Sequence, residues 1–109
     1  MTVQIPASPP LICYKGFTFV FDTIVEDNSG DNPVPFDFTG CTASFEVSRG
    51  EDVLKSGAVS LSSGRMTWRI LDTATANFLP CEARYVVSVV LANADKVPFF
   101  AGEFKIVNL

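Results

Sequence analysis

Apolar and polar residues alternate one by one along much of this chain. From Cys41 to Ser48, the positions Cys41, Ala43, Phe45 and Val47 fall on one side and Thr42, Ser44, Glu46 and Ser48 on the other. A period of two places one face of an extended strand on a core and the other in water. The same reading predicts a long strand over 17–26, with Phe17, Phe19, Phe21, Thr23 and Val25 inward, and one over 65–70, with Met66, Trp68 and Ile70 inward. Residues 82–91 carry apolar side chains on both faces, Tyr85, Val87 and Val89 against Val86 and Val90, which predicts a central strand. In 97–107 the residues Phe100, Gly102, Phe104 and Ile106 face one way, and Pro98 marks a sheet edge or the first residues of a strand.

Turn formers separate these runs. The Asp- and Asn-rich residues 27–33 predict an exposed loop, Gly50-Glu51-Asp52 precedes a short strand over 53–55, and Ser62-Ser63-Gly64 predicts a tight hairpin between strands at 58–61 and 65–70. Gly40 ends a turn and opens a strand, a position that calls for a positive φ or a close backbone approach. Asp72 is a candidate cap for an Ala- and Thr-rich stretch that Pro80 stops, giving one short helix over about 72–79. About seven short strands, turn signals roughly every 8 to 12 residues and almost no helix predict an all-β fold, an antiparallel two-sheet immunoglobulin-like sandwich. A small barrel is the alternative. The expected structural residues are Phe19, Phe38, Phe45, Trp68, Tyr85 and Phe104 in the core, with Gly40 at the turn.

Residues 1–10 do not alternate. Pro6, Pro9 and Pro10 lack a ladder donor and hold the chain extended, so the pattern predicts an N-terminal arm rather than a strand, followed by a sandwich domain over 11–109. An uncharged, stiffened arm loses little entropy on a partner, which makes Val3, Ile5, Pro6, Pro9 and Pro10 candidate partner-binding residues. The arm is expected to be separable from the folded domain.

Composition narrows the possible functions. With 109 residues, 48% hydrophobic and including 10 Phe, the chain has enough apolar material for one core. A net charge of −4 with Lys and Arg spread singly argues against nucleic acid and anionic membranes as partners. No apolar run approaches the ~18 residues of a spanning helix, and the first residues lack the charged and apolar regions of a secretory signal, which predicts folding in a cytoplasm. There is no His, which excludes Ser-His and Cys-His nucleophile pairs. Cys13, Cys41 and Cys81 have no CxxC spacing and read as free structural thiols. Glu26, Asp27 and Asp31 lack the spacing of a calcium loop, and the glycines are too dispersed to cradle phosphate. The expectation is a non-enzyme with no cofactor and no metal site.

Four segments taken together carry a resemblance: Lys15-Gly16-Phe17-Thr18-Phe19, the run from Phe36 through Asp37-Phe38-Thr39-Gly40-Cys41-Thr42 to Val47, Tyr85-Val86-Val87-Ser88, and Ala101-Gly102-Glu103-Phe104-Lys105-Ile106. They resemble a family of small β-sandwich domains of tailed bacteriophages that includes the N-terminal domain of baseplate upper proteins, with Phe38 where that family has Leu. The resemblance spans roughly 11–107 and implies a virion structural protein, made in the host bacterial cytoplasm, whose partners are capsid or tail proteins and which forms a homo-oligomer on the particle. Baseplate members continue into a second region, whereas this sequence ends at Leu109, so the expectation favours capsid decoration over a tail or baseplate role. A carbohydrate- or receptor-binding module is the competing class, resting on Trp68 as a possible sugar platform.

Overall fold

The computed structural model describes residues 3–4, 8–27 and 30–109. In chain order the elements are β1 (Val3–Gln4), β2 (Leu11–Tyr14), β3 (Phe19–Ile24), β4 (Glu26–Asp27), β5 (Val34–Pro35), β6 (Thr42–Arg49), β7 (Asp52–Ser62), β8 (Arg65–Ile70), α1 (Asp72–Thr75), β9 (Cys81–Val90) and β10 (Lys96–Val107). Seven strands form one hydrogen-bonded series, β2-β10-β9-β6-β7-β8-β3, and the two-residue strands β1, β4 and β5 form a small separate sheet.

The series folds over on itself at β7. Its residues 52–59 pair with β6 and its residues 60–62 with β8, so a single strand passes from one layer of the sandwich to the other. The layers meet through aromatic side chains. Phe45 of β6 stacks on Trp68 of β8 with ring centroids 4.3 Å apart, Phe19 of β3 meets Phe104 of β10 edge-on at 5.0 Å, and Phe21 of β3 lies 5.6 Å from Phe100 and 6.3 Å from Tyr85. Such pairs add about 0.5–1.5 kcal/mol each beyond the apolar area they bury. Phe19, Phe38, Phe45, Trp68, Tyr85 and Phe104 are all buried. Gly40 has φ +79°, and a Cβ there would lie 3.2 Å from the Cβ of Ala92.

Several expectations need correction. The sandwich is not wholly antiparallel, because β2 pairs in parallel with β10, Leu11 opposite Phe104. The strand expected over 17–26 starts at Phe19: Gly16 adopts φ +86°, the chain turns there, and Phe17 is 53% exposed. The segments expected at 53–55 and 58–61 are one strand, β7, with a bulge opposite Val47 and Ser48. Helix α1 stops at Thr75, and Asp72 does not cap it. Leu71 is the N-cap residue, and the Asp72 carboxylate instead accepts the N–H of Thr73 at 2.9 Å. Strand β9 is central, flanked by β10 and β6, but its second face remains open, with Val86 exposed. Pro98 sits early in β10 beside a bulge at Pro98/Phe100, which lets the consecutive Phe99 and Phe100 both turn inward. Within the stretch expected to be an unpaired arm, Val3 and Gln4 pair antiparallel with Asp27 and Glu26.

Candidate interaction surfaces

The described part of the N-terminal segment lies on the sandwich. Tyr85 is fully buried, and its hydroxyl donates a 2.8 Å hydrogen bond to the carbonyl of Pro9. The N–H of Ala101 donates to Ser8 Oγ at 3.1 Å. Gly102 makes this approach possible: a Cβ there would sit 3.2 Å from the Tyr85 ring and 3.4 Å from the Pro9 carbonyl oxygen. Burial raises the Tyr85 phenol above its ordinary 10.0, which keeps it a donor. Among the candidate binding residues of this segment, Val3 lies in β1, Pro9 is half-buried and Pro10 is exposed. Ile5 and Pro6 lie outside the described residues.

One end of the sandwich exposes four large apolar side chains. Here the turn after β2 meets the α1 region, and a buried side chain joins them. Thr75, fully buried, accepts the Gly16 N–H at 3.1 Å and donates to the Phe17 carbonyl at 2.8 Å. The Asp72 N–H is bound by Thr18 Oγ1 at 3.2 Å, and Lys15 N–H reaches the Val107 carbonyl at 2.9 Å. These bonds hold Tyr14, Phe17, Leu71 and Leu79 at the surface with exposures of 44 to 71%. Gly16 marks a break in the sequence, but alternation resumes at Phe17, which hides that the turn extends through Phe17, whose N–H bonds the Tyr14 carbonyl, and that the strand opens only at Phe19.

A third feature lies along the sandwich flank where β7 changes layers. Between the β6-paired half of β7 and the end of β8 is a cleft of about 320 Å³, lined among others by Phe45, Lys55, Gly57, Arg69, Leu71 and Thr73. Gly57 is the residue that allows Phe45 to close the floor, since a Cβ there would lie 2.9 Å from the Phe45 ring.

None of these surfaces assembles a set of reacting groups. Cys13 is buried and its thiol is pushed above its ordinary 9.0 by burial, which disfavours the thiolate. The Asp37 carboxylate is held below its usual range by the Thr39 hydroxyl at 2.6 Å and the Thr39 N–H at 2.9 Å, an Asx-type turn that leads into Gly40. Among the described residues, no group of three or more Cys, Asp or Glu is placed to hold a metal ion, and no helix is long and apolar enough to cross a membrane.

No protein-family model matches the chain, and no curated protein does. Among solved structures, a proposed glycoside hydrolase from Bacteroides vulgatus ATCC 8482 aligns with a TM-score of 0.53 at 16% identity, covering 93% of this chain and 17% of that one. The fibronectin(III)-like modules of Clostridium thermocellum CbhA align at 12% identity with a TM-score of 0.46, over 99% of this chain and 47% of that one. The chain thus spans less than half the length of either protein. At 16% identity the first likeness concerns the fold alone.

Proposed function

We propose that this chain is a non-enzymatic structural protein of a tailed-bacteriophage particle, an accessory domain that decorates the capsid surface and contacts its neighbours through protein surfaces. The observation that carries the reading is where the motif residues of the phage resemblance fall. Gly16 and Gly40 take positive φ values at the turns into β3 and β6, and Gly102 underlies the Tyr85–Pro9 contact. The shared residues are therefore those the backbone path depends on, which is the kind of similarity that outlasts surface divergence. The rigid apolar end supports the same reading, because a fixed group of exposed aromatic and aliphatic side chains suits a partner contact more than solvent. Attachment to a tail or baseplate is the alternative within this class. A sugar platform built on Trp68 has no support, since that ring is 2% exposed.

The test is quantitative mass spectrometry and cryo-EM of particles purified from the source of this sequence. The expected result is a fixed copy number with sandwich-shaped density on the shell. Density on the tail would move the protein to the alternative, and absence from particles would overturn the reading.

A further inference from the structure

Where β7 crosses between layers, two strand edges are left open facing one cleft. The far edge of β7 over 52–59 pairs with no strand among the described residues, since β8 joins β7 only over 60–62. Among the described residues, 68–70 of β8 likewise have a strand partner only on the β3 side. Backbone N–H and C=O groups on such edges are a template for an added strand.

The side chains around the cleft select what can be added. Lys55 stands opposite Val47, whose side chain is in the core, so Lys55 starts from the inner face of an edge strand and lines the cleft. Arg69 lines the same cleft from the outer face of β8, the face opposite Trp68 and Ile70. No carboxylate is among the lining residues, and neither cation is in an ion pair; the one described salt bridge joins Arg65 to Asp22 on the outer face at 2.7 Å. An inward lysine on a bulged edge discourages pairing with apolar strands. It does not discourage an acidic one. The floor and rim supplied by Phe45, Gly57 and Leu71 offer apolar contact between the two charges.

We infer that this cleft is a docking site for an extended acidic peptide segment of a partner protein, which adds as a short strand beside β7 and β8 and places carboxylates from its two faces against Lys55 on the inner side and Arg69 on the outer side. The inference is independent of whether the partner belongs to a virion. Backbone pairing supplies the geometry, and the two unpaired cations supply the sign preference.

The probe is the capped peptide Thr-Val-Glu-Glu-Glu-Val-Thr, whose carboxylates fall on both faces of a strand, titrated into isotopically labelled full-length protein and followed by amide chemical shifts. Its Gln-for-Glu counterpart and tetragalacturonate serve as controls. The expected result is saturable shifts confined to residues 53–58 and 68–73, weakened by salt and absent with the Gln peptide. The double variant Lys55→Glu/Arg69→Glu should weaken binding roughly tenfold or more, since opposed charge pairs become like-charged, and should instead bind the corresponding Lys-for-Glu peptide. Both side chains are exposed, so the variant is expected to keep the fold, which its amide spectrum reports directly. Absent or scattered shifts, equal binding of the Gln peptide, or tighter binding of tetragalacturonate at the cleft would each overturn the inference.

Discussion

At the scale of single residues, stability concentrates on Phe45 and Tyr85. Phe45 is 4% exposed, stacked on Trp68 and seated over Gly57. Replacing it by Ala removes the contact between layers and leaves a cavity, so Phe45→Ala is expected to cost about 3–5 kcal/mol in urea unfolding; a loss below about 1 kcal/mol would mean that the layers do not lean on this ring. Tyr85 and Cys13 predict the response to alkali. Burial raises both groups above their ordinary 10.0 and 9.0, so the folded state holds its protons more tightly than the unfolded chain. The associated stability is fully present below pH 9.0, where both are protonated in either state, and is lost as pH rises through the folded values. The urea midpoint is therefore expected to stay flat up to that pH and then fall. Tyr85→Phe combined with Cys13→Ala should flatten the fall relative to the unchanged protein, whatever the combination costs at neutral pH.

At the scale of elements, the alternation of Cys41 to Val47, of Met66 to Ile70 and of Phe100 to Ile106 carried β6, β8 and β10 directly from sequence to structure. Where period two was misleading, a backbone event with no effect on the pattern was responsible. The turn at Gly16 reaches past the first alternating residues, so the strand opens only at Phe19, and Ser56 and Gly57, which look like a break, pair regularly with Glu46 and Phe45 inside β7. Parallel pairing of β2 with β10 is invisible to any local pattern, because it joins residues at opposite ends of the chain. The cleft was equally illegible: Lys55 and Arg69 are single, scattered cations in sequence and come to line one cleft only because β7 changes layers. The N-terminal segment combines both situations. Its prolines correctly suggest extended backbone, but only the fold supplies Tyr85, Ala101 and Gly102 as partners for Ser8 and Pro9. Two truncations separate its roles. Deleting residues 1–7 keeps the Ser8 and Pro9 contacts and is expected to lower Tm by only a few degrees. Deleting 1–10 strands the buried Tyr85 hydroxyl at a cost of about 1–3 kcal/mol, which corresponds to a Tm lower by roughly 5 °C or more. Equal Tm values for the two truncations would show that the Pro9 carbonyl does not matter to the domain.

At the scale of the whole molecule, the two ends of the sandwich differ in kind. One presents Tyr14, Phe17, Leu71 and Leu79 on a scaffold fixed by Thr75, while the other carries the polar turns around Gly40, Gly64 and Asn93. Since Phe17 and Leu79 are exposed at 53% and 71%, the double substitution Phe17→Ser/Leu79→Ser is expected to change unfolding free energy by no more than about 0.5 kcal/mol per site. If the proposed function holds, it should sharply reduce incorporation into particles. Full incorporation of the double variant would assign the attachment surface elsewhere.

The passage of β7 between the layers has a consequence for how the molecule comes apart. In a sandwich whose layers are joined only by loops, one sheet can in principle peel away while the other persists. Here the same strand belongs to both, and Phe45 on one side of it and Trp68 on the other are stacked together. Opening either layer pulls on the hydrogen bonds of its counterpart, so the two share one cooperative unit. Unfolding followed by Trp68 fluorescence and by far-ultraviolet circular dichroism is expected to give coincident single transitions. Under mechanical load such a domain would hold as one piece until it fails, with no half-open form left exposing a bare sheet to its neighbours.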